Sequence, residues 1–127
     1  MLIKNGRLID PGMEIDDFFD MRIEDGKVSE IDKNLEPSEN EEVLDIKGLS
    51  YSPGFIDTHV HFRDPGFTYK EDIITGSKAA AKGGYTSVIC MANTNPVMDN
   101  EKTLVEFLEK SKTLNIWIHA LLLTREL

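Results

Sequence analysis

The sequence predicts an α/β chain: a small antiparallel β unit over residues 1–52, then strands and helices in alternation from residue 53, building a parallel sheet. Two observations carry that reading. Before Pro53, short apolar stretches are separated by the dipeptides Asn5-Gly6 and Asp25-Gly26, which suit the tight turns of two-residue hairpins. After Pro53, strand-length apolar runs alternate with helical stretches, and repeated βα units require parallel strands joined by right-handed crossovers.

Each element has its own signal. Leu2-Ile3-Lys4 and Arg7-Leu8-Ile9 flank the first expected turn, and residues 19–23 and 28–31 flank the second. Pro37-Ser38-Glu39-Asn40 marks a polar loop, followed by a brief strand at 42–46 and a turn at Lys47-Gly48. A short sheet of this kind is marginal alone and needs a packing partner. Beyond Pro53, residues 55–61 form a first strand. Residues 69–82, rich in alanine, form a helix that Gly83-Gly84 stops. Residues 85–91 form a second strand. Asp99 or Asn100 caps a helix running to Lys112, with Leu104, Phe107, Leu108 and Ser111 on its inner side. Residues 116–123 form a third strand.

Composition excludes several classes. A chain of 127 residues with 40% hydrophobic and 29% charged residues is that of a soluble globular protein with a real core. A net charge of −9 argues against broad binding to nucleic acid or an anionic membrane, since either wants a basic face. The acidic residues gather in the first 45 positions, so the imbalance describes one subregion. The apolar run at 116–123 is interrupted by His119 and is too short to span a bilayer. The first residues lack a signal-peptide layout. The single cysteine, Cys90, fits a reducing compartment and reads as a buried structural thiol. The expected location is cytoplasmic.

The chemistry concentrates in Asp57-Thr58-His59-Val60-His61-Phe62-Arg63-Asp64-Pro65-Gly66. Strand side chains alternate, which puts Asp57, His59, His61 and Arg63 on one face and Ile56, Thr58, Val60 and Phe62 on the other. Two imidazoles on one face, at the end of a parallel strand, suit binding of a metal ion. Active sites gather at such strand ends. Arg63 either grips a carboxylate with its planar fork or pairs on the surface with Asp64 or Glu71; spacing alone leaves both open. Asp57 is placed to orient a ligand or to be one. Asn93, within Ala92-Asn93-Thr94-Asn95-Pro96, would face the same rim, although by itself this is a turn sequence. His119, mid-strand and without a partner two residues away, reads as a core residue. Trp117 reads as core or a strand-to-helix contact.

These segments together resemble a known family. The Asp-Pro-Gly run near residue 10, "IEDGKVSEI", "DIKGLSYSPGFIDTHVHFRDPG", "GSKAAAKGGYTSV" and "MANTNP" are similar to the start of a bacterial dihydroorotase, of the amidohydrolase superfamily. The resemblance covers essentially the whole chain. It implies a β-sandwich-like subdomain at 1–52 attached to the first three strands of a TIM (β/α)8 barrel at 53–127. It also implies zinc, two ions in the intact enzyme. The reaction implied is the reversible hydrolysis of dihydroorotate to carbamoyl-aspartate in pyrimidine synthesis. Carried over by position, His59 and His61 match zinc ligands, His61 and Arg63 match residues lining the substrate, and Asn93 matches a substrate-binding asparagine. Ala92 stands where the family usually has proline, which leaves Asn93 in register.

A full barrel takes about 250 residues. The family's remaining metal ligands and its catalytic aspartate correspond to positions downstream of Leu127, so no catalytic residue is carried over. The 127 residues alone are therefore expected to be inactive. Two further readings stand beside this one. A hydantoinase or allantoinase shares the superfamily's chemistry, but Arg63 argues against it, since those substrates have no ring-attached carboxylate to grip. A non-catalytic remnant acting as an assembly partner is the other: an incomplete barrel leaves strand edges that invite self-association or a complementary chain.

Overall fold

The computed structural model describes residues 1–121. The chain divides into two compact units, Met1–Pro53 and Gly54–Leu127.

The first unit is one sheet, built from β1 (Leu2–Asp10), β2 (Ile15–Glu24), β3 (Lys27–Asp32), β4 (Val43–Asp45) and β5 (Ser50–Tyr51). Its order is β3-β2-β1-β4, with β5 also pairing β1. The β2–β3 hairpin forms where expected, with Asp25 at φ 50° and Gly26 at φ 73°, the positive pair a type I′ turn requires. Asn5-Gly6 does not turn the chain. β1 runs straight through it, with a register shift against β2 between Ile3 and Gly6 and Asn5 at φ 64°. The dipeptide makes a bulge, and the reversal comes at 11–14. There the Asp10 carboxylate accepts from the backbone N–H groups of Gly12 (2.9 Å) and Met13 (3.2 Å). An Asp-Pro-Gly turn with a side-chain acceptor wins over Asn-Gly because it lets β1 pair along its whole length with β2.

A second correction concerns strand direction. β1, β2 and β3 are antiparallel, but β4 and β5 both run parallel to β1, against Leu2–Lys4 and Arg7–Leu8 respectively. The sheet is mixed because the loop after β3 carries the chain back to the start of β1 before pairing resumes. Asp20 ties that loop down. It is buried, and its carboxylate accepts from the Asn5 N–H of the bulge (2.9 Å) and from Leu35 N–H (3.0 Å), with Lys4 Nζ at 3.4 Å. Asp20→Ala strands two backbone donors and a cation, and is expected to cost about 2–4 kcal/mol. A urea midpoint unchanged from wild type would refute that role for Asp20.

The second unit contains β6 (Phe55–Val60), α1 (Ile73–Lys82), β7 (Tyr85–Cys90), α2 (Glu101–Ser111) and β8 (Trp117–Ala120). The strands form a parallel sheet in the order β6-β7-β8. Helix α1 starts later than the alanine-rich pattern suggests. Turns occupy the preceding residues, and Asp72 caps the helix by accepting from Ile74 N–H and Thr75 N–H, both at 2.8 Å. Those donors hold the Asp72 carboxyl below its ordinary range. Asn100, rather than Asp99, caps α2 by accepting from Thr103 N–H at 3.0 Å.

The core gathers Phe62, Ile73, Val88, Cys90, Met98, Phe107 and Ile118, drawing on both helices and one face of the sheet. Gly76 is what lets α1 close on this core, because a β-carbon there would collide with the Phe62 ring. The third strand departs from expectation. Ile118 and Ala120 face the helices, so alternation turns Trp117 and His119 to the opposite face, where both are exposed. Neither is a core residue. The expected continuation at Leu122 and Leu123 lies outside the described residues.

Cys90 is buried at 2% exposure, and desolvation pushes its thiol up to about 12. The neutral thiol is the favoured folded form. Its contribution to stability is complete below the ordinary thiol value and is lost as pH rises toward 12. At pH 8 an aromatic disulfide reagent is expected to label Cys90 only as fast as the chain unfolds; rapid stoichiometric labelling of native protein would contradict this.

Candidate active site

The candidate site residues lie at the C-terminal ends of β6 and β7, and β6 carries an irregularity beside them. Asp57 is in register with Val88 and Val60 with Cys90. This leaves Thr58 and His59 together opposite Ile89, a bulge. Strict alternation therefore fails between Asp57 and Val60. Asp57 lines an open cleft of about 290 Å³ with His61, Glu71 and the α1 residues Gly76, Ala79 and Ala80. Its carboxylate accepts from His59 N–H at 2.9 Å, closing the bulge over its own strand. Ile56 and Thr58 are exposed rather than packed under helices.

The bulge does not separate the histidines. The rings of His59 and His61 lie edge to face with centroids 5.2 Å apart. His61 sits just past the end of β6 and reaches across to Asn93, with Nδ1 2.9 Å from Asn93 Oδ1. Asn93, exposed in the loop after β7, is thus joined to the histidine pair directly. Among the described residues, no group of three or more His, Cys, Asp or Glu side chains converges on one point.

Arg63 is held in an unusual backbone state, φ 61°, which costs a non-glycine residue about 1–2 kcal/mol. Such a conformation persists only where its surroundings enforce it. Three contacts do so. Arg63 C=O accepts from Phe67 N–H at 2.9 Å. Asp64, buried, pairs with Lys110 Nζ of α2 at 2.8 Å. Pro65 C=O accepts from Asn95 N–H at 3.1 Å, linking the Arg63 loop to the Asn93 loop. The expected surface partners of the arginine are occupied elsewhere, Asp64 by Lys110 and Glu71 by Thr75. Among the described residues no carboxylate pairs with the half-buried Arg63 guanidinium.

Gly66 makes that linkage possible. At φ 91° it lies so close to Asn95 that a β-carbon would overlap the Asn95 carbonyl. The role of Lys110 had no local signal in the sequence, because it and Asp64 are 46 residues apart. The one available hint was Asp64-Pro65-Gly66, a turn whose acid has no local partner. A wider cleft of about 650 Å³ lies in the first unit, lined by Phe18, Phe19, Lys33 and Asp45 among others, and holds no histidine.

Comparison with known proteins now decides the lineage. A family model described as dihydro-orotase-like matches residues 49–121, more than half of the chain. The chain belongs to the dihydro-orotase-like family. It is 55% identical over 112 residues to the dihydroorotase of Clostridioides difficile, covering 88% of this chain and 27% of that protein. It is 49% identical over 116 residues to the dihydroorotase of Aquifex aeolicus, covering 91% and 27%. The chain therefore spans about a quarter of the length of these relatives. Among solved structures, an L-hydantoinase from Arthrobacter aurescens matches with a TM-score of 0.82 at 26% identity, over 94% of this chain and 26% of that one. A dihydroorotase matches with a TM-score of 0.71 over 95% and 30%, and at 23% identity it speaks to the fold alone.

This family member is expected to depend on Gly66. Gly66→Ala meets both a left-handed backbone and the Asn95 carbonyl, and should cost about 2 kcal/mol or more. Denaturant unfolding measures that, and amide shifts at Asn93 and His61 should move with it. A stable variant with unperturbed shifts would show that the two loops are not coupled.

Proposed function

We propose that this chain supplies the metal-binding and carboxylate-binding strands of a dihydroorotase, which interconverts dihydroorotate and N-carbamoyl-L-aspartate. The observation that carries the proposal is the placement of paired histidines, Arg63 and Asn93 on one rim of a parallel sheet. Residues 1–52 are then the N-terminal part of a sandwich, and residues 53–127 the first three strands of a (β/α)8 barrel. A pyrimidine-pathway enzyme of this kind acts in the cytoplasm on a small-molecule substrate. No helix among the described residues is long and apolar enough to cross a membrane.

The histidines fit zinc as part of a donor set. Two imidazoles on one tetrahedral ion, with Zn–N bonds of about 2.0–2.1 Å, have ring centres about 5 Å apart. The 5.2 Å separation of His59 and His61 meets that requirement. A catalytic zinc typically takes three protein ligands, so the set is completed by residues other than those described. Zinc, when bound, supplies Lewis acidity and a water of lowered pKa. The residues of this chain do the rest by positioning. Arg63 offers a bidentate grip to the ring carboxylate, and the Asn93 amide adds hydrogen-bond donors beside it. With β6 and β8 both at sheet edges and Ile56 and Trp117 exposed, further strands, from the same polypeptide or from a partner, complete the structure.

The test is a chimera in which this chain replaces the matching quarter of the Clostridioides difficile dihydroorotase. It is expected to hydrolyse dihydroorotate and to leave hydantoin and allantoin untouched. Within it, Arg63→Met should raise KM for dihydroorotate about a hundredfold. The 127-residue chain with added zinc should turn over nothing. Preference of the chimera for hydantoin, or an Arg63→Met variant with unchanged KM, would overturn the assignment.

A further inference from the structure

The contact between His61 and Asn93 has a chemical consequence beyond holding two loops together. Asn93 presents its side-chain oxygen to His61 Nδ1 at 2.9 Å. An amide oxygen only accepts, so the ring nitrogen facing it must carry the hydrogen. In neutral imidazole one nitrogen donates and the other accepts, which leaves Nε2 as the bare nitrogen. A solvated histidine prefers the opposite arrangement, with the hydrogen on Nε2.

We propose that Asn93 is a positioning residue: its side-chain oxygen locks His61 as the Nδ1–H tautomer and keeps the Nε2 lone pair free to bind a cation. The lock is independent of any substrate. It rests on a half-buried ring at the end of β6 and on a loop fixed by its own bonds. Thr94 Oγ1 donates to Pro96 C=O at 2.7 Å, Met98 N–H donates to Ala92 C=O at 3.1 Å, and Asn95 N–H donates to Pro65 C=O at 3.1 Å. Because the oxygen of Asn93 faces the histidine, its two amide hydrogens face away from the ring. Among the described residues they have no acceptor, so they remain available to an anionic group beside Arg63. The second half of this inference rests on the reading of His61 as a metal ligand; the first half does not.

The experiment uses the whole chain, labelled with nitrogen-15 and free of metal, at a pH about two units above the ordinary imidazole value of 6.5. Long-range proton–nitrogen correlation spectra separate the two tautomers directly. His61 is expected as Nδ1–H in the wild type, and predominantly as Nε2–H in Asn93→Ala. Asn93→Asp, which keeps an acceptor in place, is expected to restore Nδ1–H. Zinc affinity, measured by competition with a chromophoric chelator, should fall about 10- to 100-fold in Asn93→Ala. A wild-type His61 found as Nε2–H overturns the proposal without any variant having to fold. An unchanged tautomer in a folded Asn93→Ala overturns it equally. A switched tautomer with unchanged zinc affinity keeps the lock and refutes His61 as a ligand through Nε2.

Discussion

Parallel pairing of β6 with β7 is the constraint on which the reactive rim depends. In-register pairing at Asp57–Val88 and Val60–Cys90 leaves one residue too many on β6, and that surplus is the bulge at Thr58 and His59. A bulge bends its strand and re-aims the side chains beyond it. Asp57 is spent on stabilising this local shape, accepting from the very backbone N–H that the bulge leaves without a strand partner. The histidines can then meet edge to face although they no longer follow simple alternation. Val60, Cys90 and Phe62 anchor the pairing from below, packed against α1 and α2. Core and rim are therefore one problem, since the hydrophobic register fixes which residue becomes surplus.

Much of the arrangement was legible in the sequence, for reasons that differ by element. Helix α2 was readable to within a residue at each end because its cap, apolar stripe and end are local signals. The β2–β3 hairpin was readable because Asp25-Gly26 has few alternatives between two strand-forming runs. Asn5-Gly6 carries the same local preference and met a stronger tertiary demand. Positive φ at Asn5 serves a bulge as well as it serves a turn, and Asp10-Pro11-Gly12 offered a better reversal a few residues on. The parallel course of β4 and β5 had no local signature at all. Strand direction follows from where the preceding loop delivers the chain, and that loop is positioned by the buried carboxylate of Asp20.

The candidate site divides in the same way. His59 and His61 could be singled out from residue type and spacing, Arg63 and Asn93 only with the family resemblance, and in no case the means by which they are held. Asp57 lines a cleft with His61 and also supports the bulge through His59 N–H. His119 and Trp117 looked like core residues because they lie in an apolar run. Alternation gave the buried side to Ile118 and Ala120, whose neighbours on β7 are Val88 and Cys90. The Asp64–Lys110 pair, the Gly66–Asn95 approach and the His61–Asn93 contact all join segments distant in sequence. Each is a long-range contact, invisible to any local window, and the first two tie down the loop that carries the left-handed Arg63.

Those long-range contacts also bear on what distinguishes relatives that share this fold. Hydantoinases and dihydroorotases both superpose on the chain, so the backbone trace does not sort substrates. Under the proposed assignment the histidine pair would not sort them either, since a metal held there would serve any cyclic amide. Discrimination under that assignment comes from groups that recognise what only one substrate carries, a carboxylate attached to the ring. In that proposal Arg63 needs a guanidinium not taken by a neighbouring carboxylate, and that condition traces to its neighbours. Lys110 takes the acid that would otherwise capture it, while the Gly66–Asn95 junction holds its backbone in a conformation it would not adopt alone. The proposed carboxylate recognition thus depends on these pairings as much as on the arginine itself.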